Sequence, residues 1–217
     1  MKLLITADGS HTVLNEGLNA AYHSVHGALT ESRHVFIDNG FAYAARAKAG
    51  EEVRVLEVGP GTGLNALLSY YYAREKPAKV SYEALEPFPL PDDITCGLNY
   101  PDEDKVLPQL HSFTWGEAHE INARFRFRKN KAGLQDFDAG GRKYDLVYFD
   151  AFAFSVQPEL WELPVFAKLY ELTDPGACLV TYAAKGLVKR ALRQCGFAVQ
   201  ALPGPPRKRE MTRALRS

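Results

Sequence analysis

Val53-Arg54-Val55-Leu56-Glu57-Val58-Gly59-Pro60-Gly61-Thr62-Gly63-Leu64-Asn65 is the stretch on which the reading of this chain turns. Val53, Val55 and Val58 are β-branched residues in a short apolar run, which predicts a buried strand over 53–58. Three glycines follow at alternate positions, and residues 64–72 then carry apolar side chains at helical spacing. Strand, glycine turn and helix make the first half of a nucleotide-binding α/β unit. Glycines let the backbone turn sharply and let a ligand approach without a Cβ in the way. A dinucleotide fingerprint would space them G-x-G-x-x-G. Here the order is Glu57-x-Gly59-x-Gly61-x-Gly63, an acid and then alternate glycines. An ordinary tight strand-to-helix turn would accommodate the same pattern.

Further along, residues 80–85 alternate as a second strand and end at Glu86-Pro87. An acid at that tip, about twenty residues past the glycines, is placed to accept both hydroxyls of a ribose. Residues 125–127 read as the third strand, with Gly133-Leu134-Gln135-Asp136 after it. The fourth, 144–149, delivers Asp150-Ala151-Phe152 to the edge where open α/β sheets hold ligands. Pro158 opens the next helix, its periodicity continues over 165–172, and Asp174-Pro175-Gly176 ends it. A fifth strand over 179–182, a basic helix over 185–194 and an antiparallel pair, 197–202 with 211–215, complete the core.

Before the glycine unit, residues 3–6 and 12–14 flank a turn and predict a hairpin. A polar-aromatic stretch follows, where such folds often carry a cover over the ligand, and a helix is expected over 42–48. His23 and His26 lie three apart on an expected helix, but no third ligand has suitable spacing, so no metal is expected. Residues 88–123 exceed a normal crossover and contain an acidic loop and a helical pattern at Val106, Leu107, Leu110 and Phe113.

A length of 217 residues predicts one α/β domain, with a hairpin and cap over 1–40 and the core over 41–217. Lys+Arg and Asp+Glu are both 26, so net charge excludes no partner, but the distribution is uneven. Residues 185–217 hold nine Lys or Arg against the single acid Glu210, and a segregated basic face suits a polyanion. Cys96, Cys178 and Cys195 are odd in number and lack CxxC spacing, which predicts free thiols in a reducing compartment. The first residues are too short for a secretory signal, and no apolar run approaches the roughly 20 residues of a membrane span. A cytoplasmic protein without a membrane partner is expected.

The acid and alternate glycines resemble the first motif of class I S-adenosylmethionine (SAM) methyltransferases, whose donor carries an ammonium and a ribose and no pyrophosphate. A longer ordered set then narrows the family. It comprises Asp8-Gly9-Ser10, Tyr22-His23-Ser24, Gly27-Ala28, Glu31-Ser32, His34-Val35-Phe36, the glycine stretch, and Tyr148-Phe149-Asp150-Ala151-Phe152. It continues with Gln157-Pro158-Glu159-Leu160-Trp161, Thr181-Tyr182, Lys185-Gly186 and Gly204-Pro205-Pro206-x-Lys208-Arg209-Glu210-Met211. Taken in order over nearly the whole length, these resemble the methyltransferases that complete the 5-methylaminomethyl group on the wobble uridine of bacterial tRNAs. Two positions depart from that pattern. Pro60 stands where an aromatic residue is frequent, and Arg207 where the family usually has glycine.

The resemblance implies a Rossmann-like, mostly parallel seven-stranded sheet with an antiparallel last strand, helices on both faces and an N-terminal hairpin and cap. It implies SAM as methyl donor, held by Glu57, Gly59, Gly61, Thr62, Gly63, Asn65, Glu86, Pro87, Leu134, Asp150, Ala151 and Phe152. Asp150 would orient the substrate amine and accept its proton. Tyr22, His23 and Ser32 are candidates for the substrate side, Tyr22 and Phe152 by stacking on the uracil ring. Lys185, Lys189, Arg190, Arg207, Lys208 and Arg209 are candidates for phosphates of the tRNA anticodon stem-loop. Some members are fused to a flavin-dependent oxidase; this chain reads as a stand-alone transferase, with a separate enzyme supplying the aminomethyl precursor. Another amine substrate is the alternative, as is an RNA-binding module, although such a module has no use for Glu57, Glu86 and Asp150 together. Glycine spacing disfavours a NAD-dependent oxidoreductase, and an aminopropyltransferase would want a second carboxylate where Ala153 stands. No Gly-x-Ser-x-Gly occurs, so a serine hydrolase is unsupported.

Overall fold

The computed structural model describes residues 1–76 and 78–217. Strands β1 (Lys2–Ile5) and β2 (His11–Asn15) form the expected hairpin, and β3 (Ala20–Ala21) extends it to a small antiparallel sheet. In the hairpin turn, Asp8 accepts hydrogen bonds from Ser10 and Thr6 and reaches across to the amide and hydroxyl of Thr30. Burial alone would raise that carboxyl, but these donors outweigh it and hold it well below the usual carboxylate range. The hairpin is thereby latched to the first turn of α1 (Ala28–Ser32). Gly27 keeps the latch possible, because a Cβ there would lie 2.6 Å from Asp8 Oδ2.

α1 runs directly into a π-helical segment, Arg33–Phe41, and then into α2 (Ala42–Ala47). Within residues 28–48 a helix was expected only over 42–48. The wider π winding puts the helical period out of register with the sequence pattern, which hid its first half. Gly40 sets this helix directly on the main sheet, since a Cβ there would be 2.8 Å from Val180 Cγ2. His23 and His26 precede α1 and lie on no helix, contrary to the expectation.

The main sheet begins with β4 (Glu52–Val58), followed by α3 (Leu64–Glu75) and β5 (Lys79–Leu85). Residues 88–123 hold α4 (Asp92–Thr95), α5 (Val106–Ser112) and β6 (Ala118–Asn122). Then come β7 (Phe125–Asn130), β8 (Tyr144–Phe149), a 3₁₀ turn at Pro158–Trp161, and α6 (Leu163–Leu172). β9 (Thr173–Thr181), α7 (Gly186–Gln194), β10 (Phe197–Pro203) and β11 (Glu210–Arg216) end the chain. Asp174, Pro175 and Gly176, expected to end the helix, follow Thr173 within β9; the register shift opposite Tyr144 and Leu146 accommodates them.

The strand order is β10-β11-β9-β8-β4-β5-β7-β6. β4, β5, β7, β8 and β9 pair in parallel, whereas β11 is antiparallel to both β9 and β10. Among the described residues the main sheet has eight strands where seven were expected. The extra one, β6, is an antiparallel edge strand whose Ala-His-Glu-Ile-Asn sequence buries only alternate side chains, and those partly. It therefore lacks the apolar run that marks a central strand.

Side chains along the central strands alternate between two cores. Val53, Val55, Leu146, Tyr148 and Val180 join Phe36, Phe41, Leu64, Leu67 and Leu107 on one face. Leu56, Val58, Val147, Phe149 and Leu179 join Val165, Phe166, Val188 and Leu192 on the other. Helices thus cover both faces. At the amino end of β4, Arg54 donates to Asp145 and Asp174, and Lys48 reaches Asp145 at 2.8 Å. That cluster ties β4 to β8, so their carboxyl ends open at fixed spacing, and strand order reverses between them. The three cysteines are free thiols, and among the described residues no helix is long and apolar enough to cross a membrane.

Candidate active site

Val58 pairs with Phe149 at the ends of β4 and β8, so the loops leaving the two strands start together. Gly59 adopts φ +81°, and a Cβ there would lie 2.8 Å from the carbonyl oxygen of Asp150. Only glycine lets these loops touch. At Gly61, φ is +47° and a Cβ would stand 2.5 Å from the Tyr22 ring, so the N-terminal cover closes directly on the glycine loop. Tyr22 meets Phe152 edge to face, with ring centroids 4.8 Å apart. Beneath these aromatics lies a cavity of about 730 Å³.

Carboxylates dominate its polar side. Glu57 is fully buried at the end of β4, accepting from Tyr82 Oη at 2.7 Å and from Asn65 Nδ2 at 2.9 Å. The same Asn65 Nδ2 also donates to Asp150 Oδ2 at 2.9 Å, so one amide bridges two acids. Burial, opposed by the Tyr82 and Asn65 hydrogen bonds, pushes the Glu57 carboxyl up to about 7. Burial, with the charges of Glu57 and Glu31, pushes Asp150 well above its ordinary range. Glu86 lines the cavity from the tip of β5; burial raises it, while the amides of Phe88 and Gly61 pull it back at 2.9 and 3.2 Å.

A cavity ringed by undercompensated acids fits a ligand that brings positive charge. Asn65 Oδ1 sharpens this point, because it is buried with no hydrogen-bond partner, a free acceptor beside two carboxylates. Held by two backbone amides, Glu86 has lone pairs left for a diol. Gly133 and Leu134 line the same cavity, whereas Asp136 is exposed and does not.

Eight of the expected donor residues line this cavity: Gly59, Gly61, Glu86, Pro87, Leu134, Asp150, Ala151 and Phe152. Glu57, Thr62, Gly63 and Asn65 stand behind its wall, where they support the lining residues. Thr62 is fully buried and bonded to His23 Nε2 at 2.8 Å and to Tyr100 Oη at 3.1 Å. His23 was expected on the substrate side. Its ring lines the cavity but is 8% exposed and spent on Thr62, and burial lowers it to about 4, so it is a neutral buttress of the glycine loop. Ser32, expected to face substrate, is fully buried within α1 and lines neither cavity.

A second cavity of about 490 Å³ adjoins the first, with Ala153, Tyr182 and Lys208 lining both. Phe154, Trp161, Lys185 and Arg209 also line it. Lys185 and Arg209, with Arg190 and Arg207 nearby in sequence, are exposed. Lys189 is instead held by Glu210 at 2.5 Å and is mostly buried, so it is not free for phosphate. Glu31 and Tyr182 are the residues that sequence reasoning left without a role. Both stood in the quoted motifs, but nothing in a strand or helix pattern says which side chains a cover turns inward. Among the described residues, no group of three or more His, Cys, Asp or Glu could hold a metal ion.

A family model described as S-adenosyl-L-methionine-dependent methyltransferase matches residues 104–217. The bifunctional protein MnmC of tRNA 5-methylaminomethyl-2-thiouridine biosynthesis from Pseudomonas aeruginosa PAO1 is 32% identical over 223 residues, covering 91% of this chain and 32% of that protein. Its counterpart from Paracidovorax citrulli is 33% identical, covering 94% and 34%. The chain thus spans about a third of the length of these curated relatives. Among solved structures, MNMC2 from Aquifex aeolicus superposes with a TM-score of 0.83 at 25% identity, over 99% of this chain and 70% of that one. Magnesium protoporphyrin IX methyltransferase from Synechocystis PCC 6803, solved with bound SAM, shares the fold at a TM-score of 0.53 and 16% identity, over 88% and 81% of the two chains. Glycine loop, strand-tip acids and sheet order all agree with the match: the chain belongs to the S-adenosyl-L-methionine-dependent methyltransferase family and uses that methyl donor.

Proposed function

We propose that this chain methylates a primary amine on RNA, the 5-aminomethyl group of a tRNA wobble uridine, giving the 5-methylaminomethyl form. The observation that carries this reading is Asp150, shared with Glu57 through Asn65 and set on the wall of the larger cavity, close to where the second cavity opens. The names of the MnmC relatives and of the Aquifex structure support the choice of substrate.

When bound, SAM supplies an electrophilic sulfonium methyl. Asp150, backed by Asn65 and Glu57, would hold its charged amino-acid end, Glu86 the ribose hydroxyls, and Gly133-Leu134 the flank of the adenine. Asp150 orients the incoming amine along the transfer axis. The new N–C bond takes its electron pair from the amine, the breaking C–S bond leaves its pair on sulfur, and the resulting ammonium sheds a proton. Asp150, whose carboxyl burial and the neighbouring acids raise, lies in the cavity wall to accept that proton. Tyr22 and Phe152 exclude water above the transfer path.

In this reading the second cavity takes the uridine, with Trp161, Phe154 and Tyr182 around the base. Lys185, Arg190, Arg207 and Arg209 meet phosphates of the anticodon stem-loop. The reaction runs in the cytoplasm, where the tRNA is, and a separate activity supplies the aminomethyl precursor. The test is methyl transfer from labelled SAM to tRNA lacking this methyl group, followed by nucleoside analysis. Label in 5-methylaminomethyl-uridine is expected. A protein that binds SAM by calorimetry yet labels no tRNA nucleoside would refute the substrate assignment.

A further inference from the structure

A primary alkylamine has a pKa near that of lysine, about 10, and attacks only when neutral. The acids around this site work against that. Glu31, Asp150, Glu57 and Glu86 would each favour the protonated amine. One cation stands against them at the junction of the two cavities, and it is unusually well supported.

Lys208 lines both cavities. Its Nζ donates to Glu31 Oε1 and sits over the face of Tyr182, 4.6 Å from the ring centroid. Glu31 is fixed in turn by the Ser24 amide at 2.8 Å, and Tyr182 by its hydroxyl bond to the Ala151 carbonyl at 2.8 Å. The loop that presents Lys208 is just as constrained. The Lys208 amide bonds to Pro205 O at 2.9 Å, and a Cβ at Gly204 would lie 2.5 Å from Lys208 O. Hairpin cover, sheet and closing loop therefore converge on one ammonium group.

Resting on the amine-methylation reading above, we propose that Lys208 makes the bound substrate amine shed its proton before attack. Its fixed charge opposes a second ammonium at the cavity junction, so the neutral amine is the bound form. The proton lost in this step passes to water, so Asp150 remains free to take the one released after transfer; Lys208 stays charged and transfers nothing. Other groups around the junction are Glu31 on α1, Asp150 after β8 with Glu57 behind it, and Tyr182 after β9. Lys185 lies across the second cavity, Arg209 lies on the same loop, and Glu210 is already held by Lys189. His23 is kept neutral by burial. Lys208 also opposes the rise of the Asp150 carboxyl caused by burial and the neighbouring acids, so one charge acts on the amine and on its later proton acceptor.

The test is the pH dependence of the single-turnover methylation rate at saturating SAM and 5-aminomethyl-uridine tRNA. In the native protein the rising limb falls at least one unit below the roughly 10 of a free alkylamine. In Lys208→Met and Lys208→Gln the limb moves up by one unit or more, so the rate at pH 7 drops at least about tenfold while the plateau at high pH is largely regained. Lys208→Arg, which keeps the charge, retains the native limb. A rate lowered equally at every pH in the Met and Gln variants, or a native limb already at that of the free amine, would overturn the proposal and leave the amine substrate intact. Failure of the native protein to methylate this tRNA at any pH would overturn both.

Discussion

Replacing Glu57 with Gln removes a charge that folding buries completely while keeping the side chain's shape. In the folded protein the carboxyl is raised from its ordinary 4.5 to about 7, so the folded state binds this proton more tightly than the unfolded chain. Between those values the folded state carries more protons, and stability falls as pH rises. At about 1.4 kcal/mol per pH unit, the loss is complete above pH 7 and amounts to about 3 kcal/mol. Gln escapes that loss. It does forfeit one of the two acceptors used by Asn65 and Tyr82, at a pH-independent cost of about 1 kcal/mol. Urea unfolding of the ligand-free protein should therefore find Glu57→Gln about as stable as native at pH 5, where part of the loss has already occurred, and about 2 kcal/mol more stable at pH 8. Asp150 feels the Glu57 charge, and its relief acts in the same direction. Only the difference between the two pH values matters, because the hydrogen-bond cost cancels from it. An equal stability change at pH 5 and pH 8 would refute the claim that this acid is an undercompensated charge awaiting a cation.

Asp150→Asn should cut the single-turnover rate at saturating SAM by roughly a hundredfold or more, well beyond its loss of SAM affinity; calorimetry and rate measurements on one preparation check this, and an unchanged rate removes the role. Gly59→Ala places a methyl 2.8 Å from the Asp150 carbonyl at a left-handed backbone position, so it should cost at least about 2 kcal/mol in urea unfolding and abolish the heat of SAM binding. Arg207 holds φ +68° where the resembled family usually has glycine. Arg207→Gly relieves that strain and should raise stability by about 0.5 kcal/mol once the added chain entropy is deducted, read as a higher melting temperature. Arg209→Glu with Lys185→Glu should weaken tRNA binding and flatten its dependence on salt, and a salt slope unchanged from native would place the RNA elsewhere.

How much the sequence disclosed depended on the kind of signal each residue carries. Central strands β4 and β8 were legible because strands buried on both faces are rich in apolar residues, and β5 because its residues alternate. Glu57, the glycines, Glu86 and Asp150 were legible because they sit at strand tips, where chain position alone fixes the place in space. β6 and the π-helical half of the first long helix were not, since a polar edge strand and an off-period helix leave no pattern to count. Nor could spacing show that Asn65 joins Glu57 to Asp150 across 85 residues, or that Lys208 meets Glu31 across 177. Those pairings arise where the N-terminal cover and the closing loop pack over the same sheet edge. Local propensity wrote the elements, but long-range packing decided which charges face each other, and only those contacts show that Ser32 is walled off and His23 spent on Thr62 while Glu31 and Lys208 meet at the cavity.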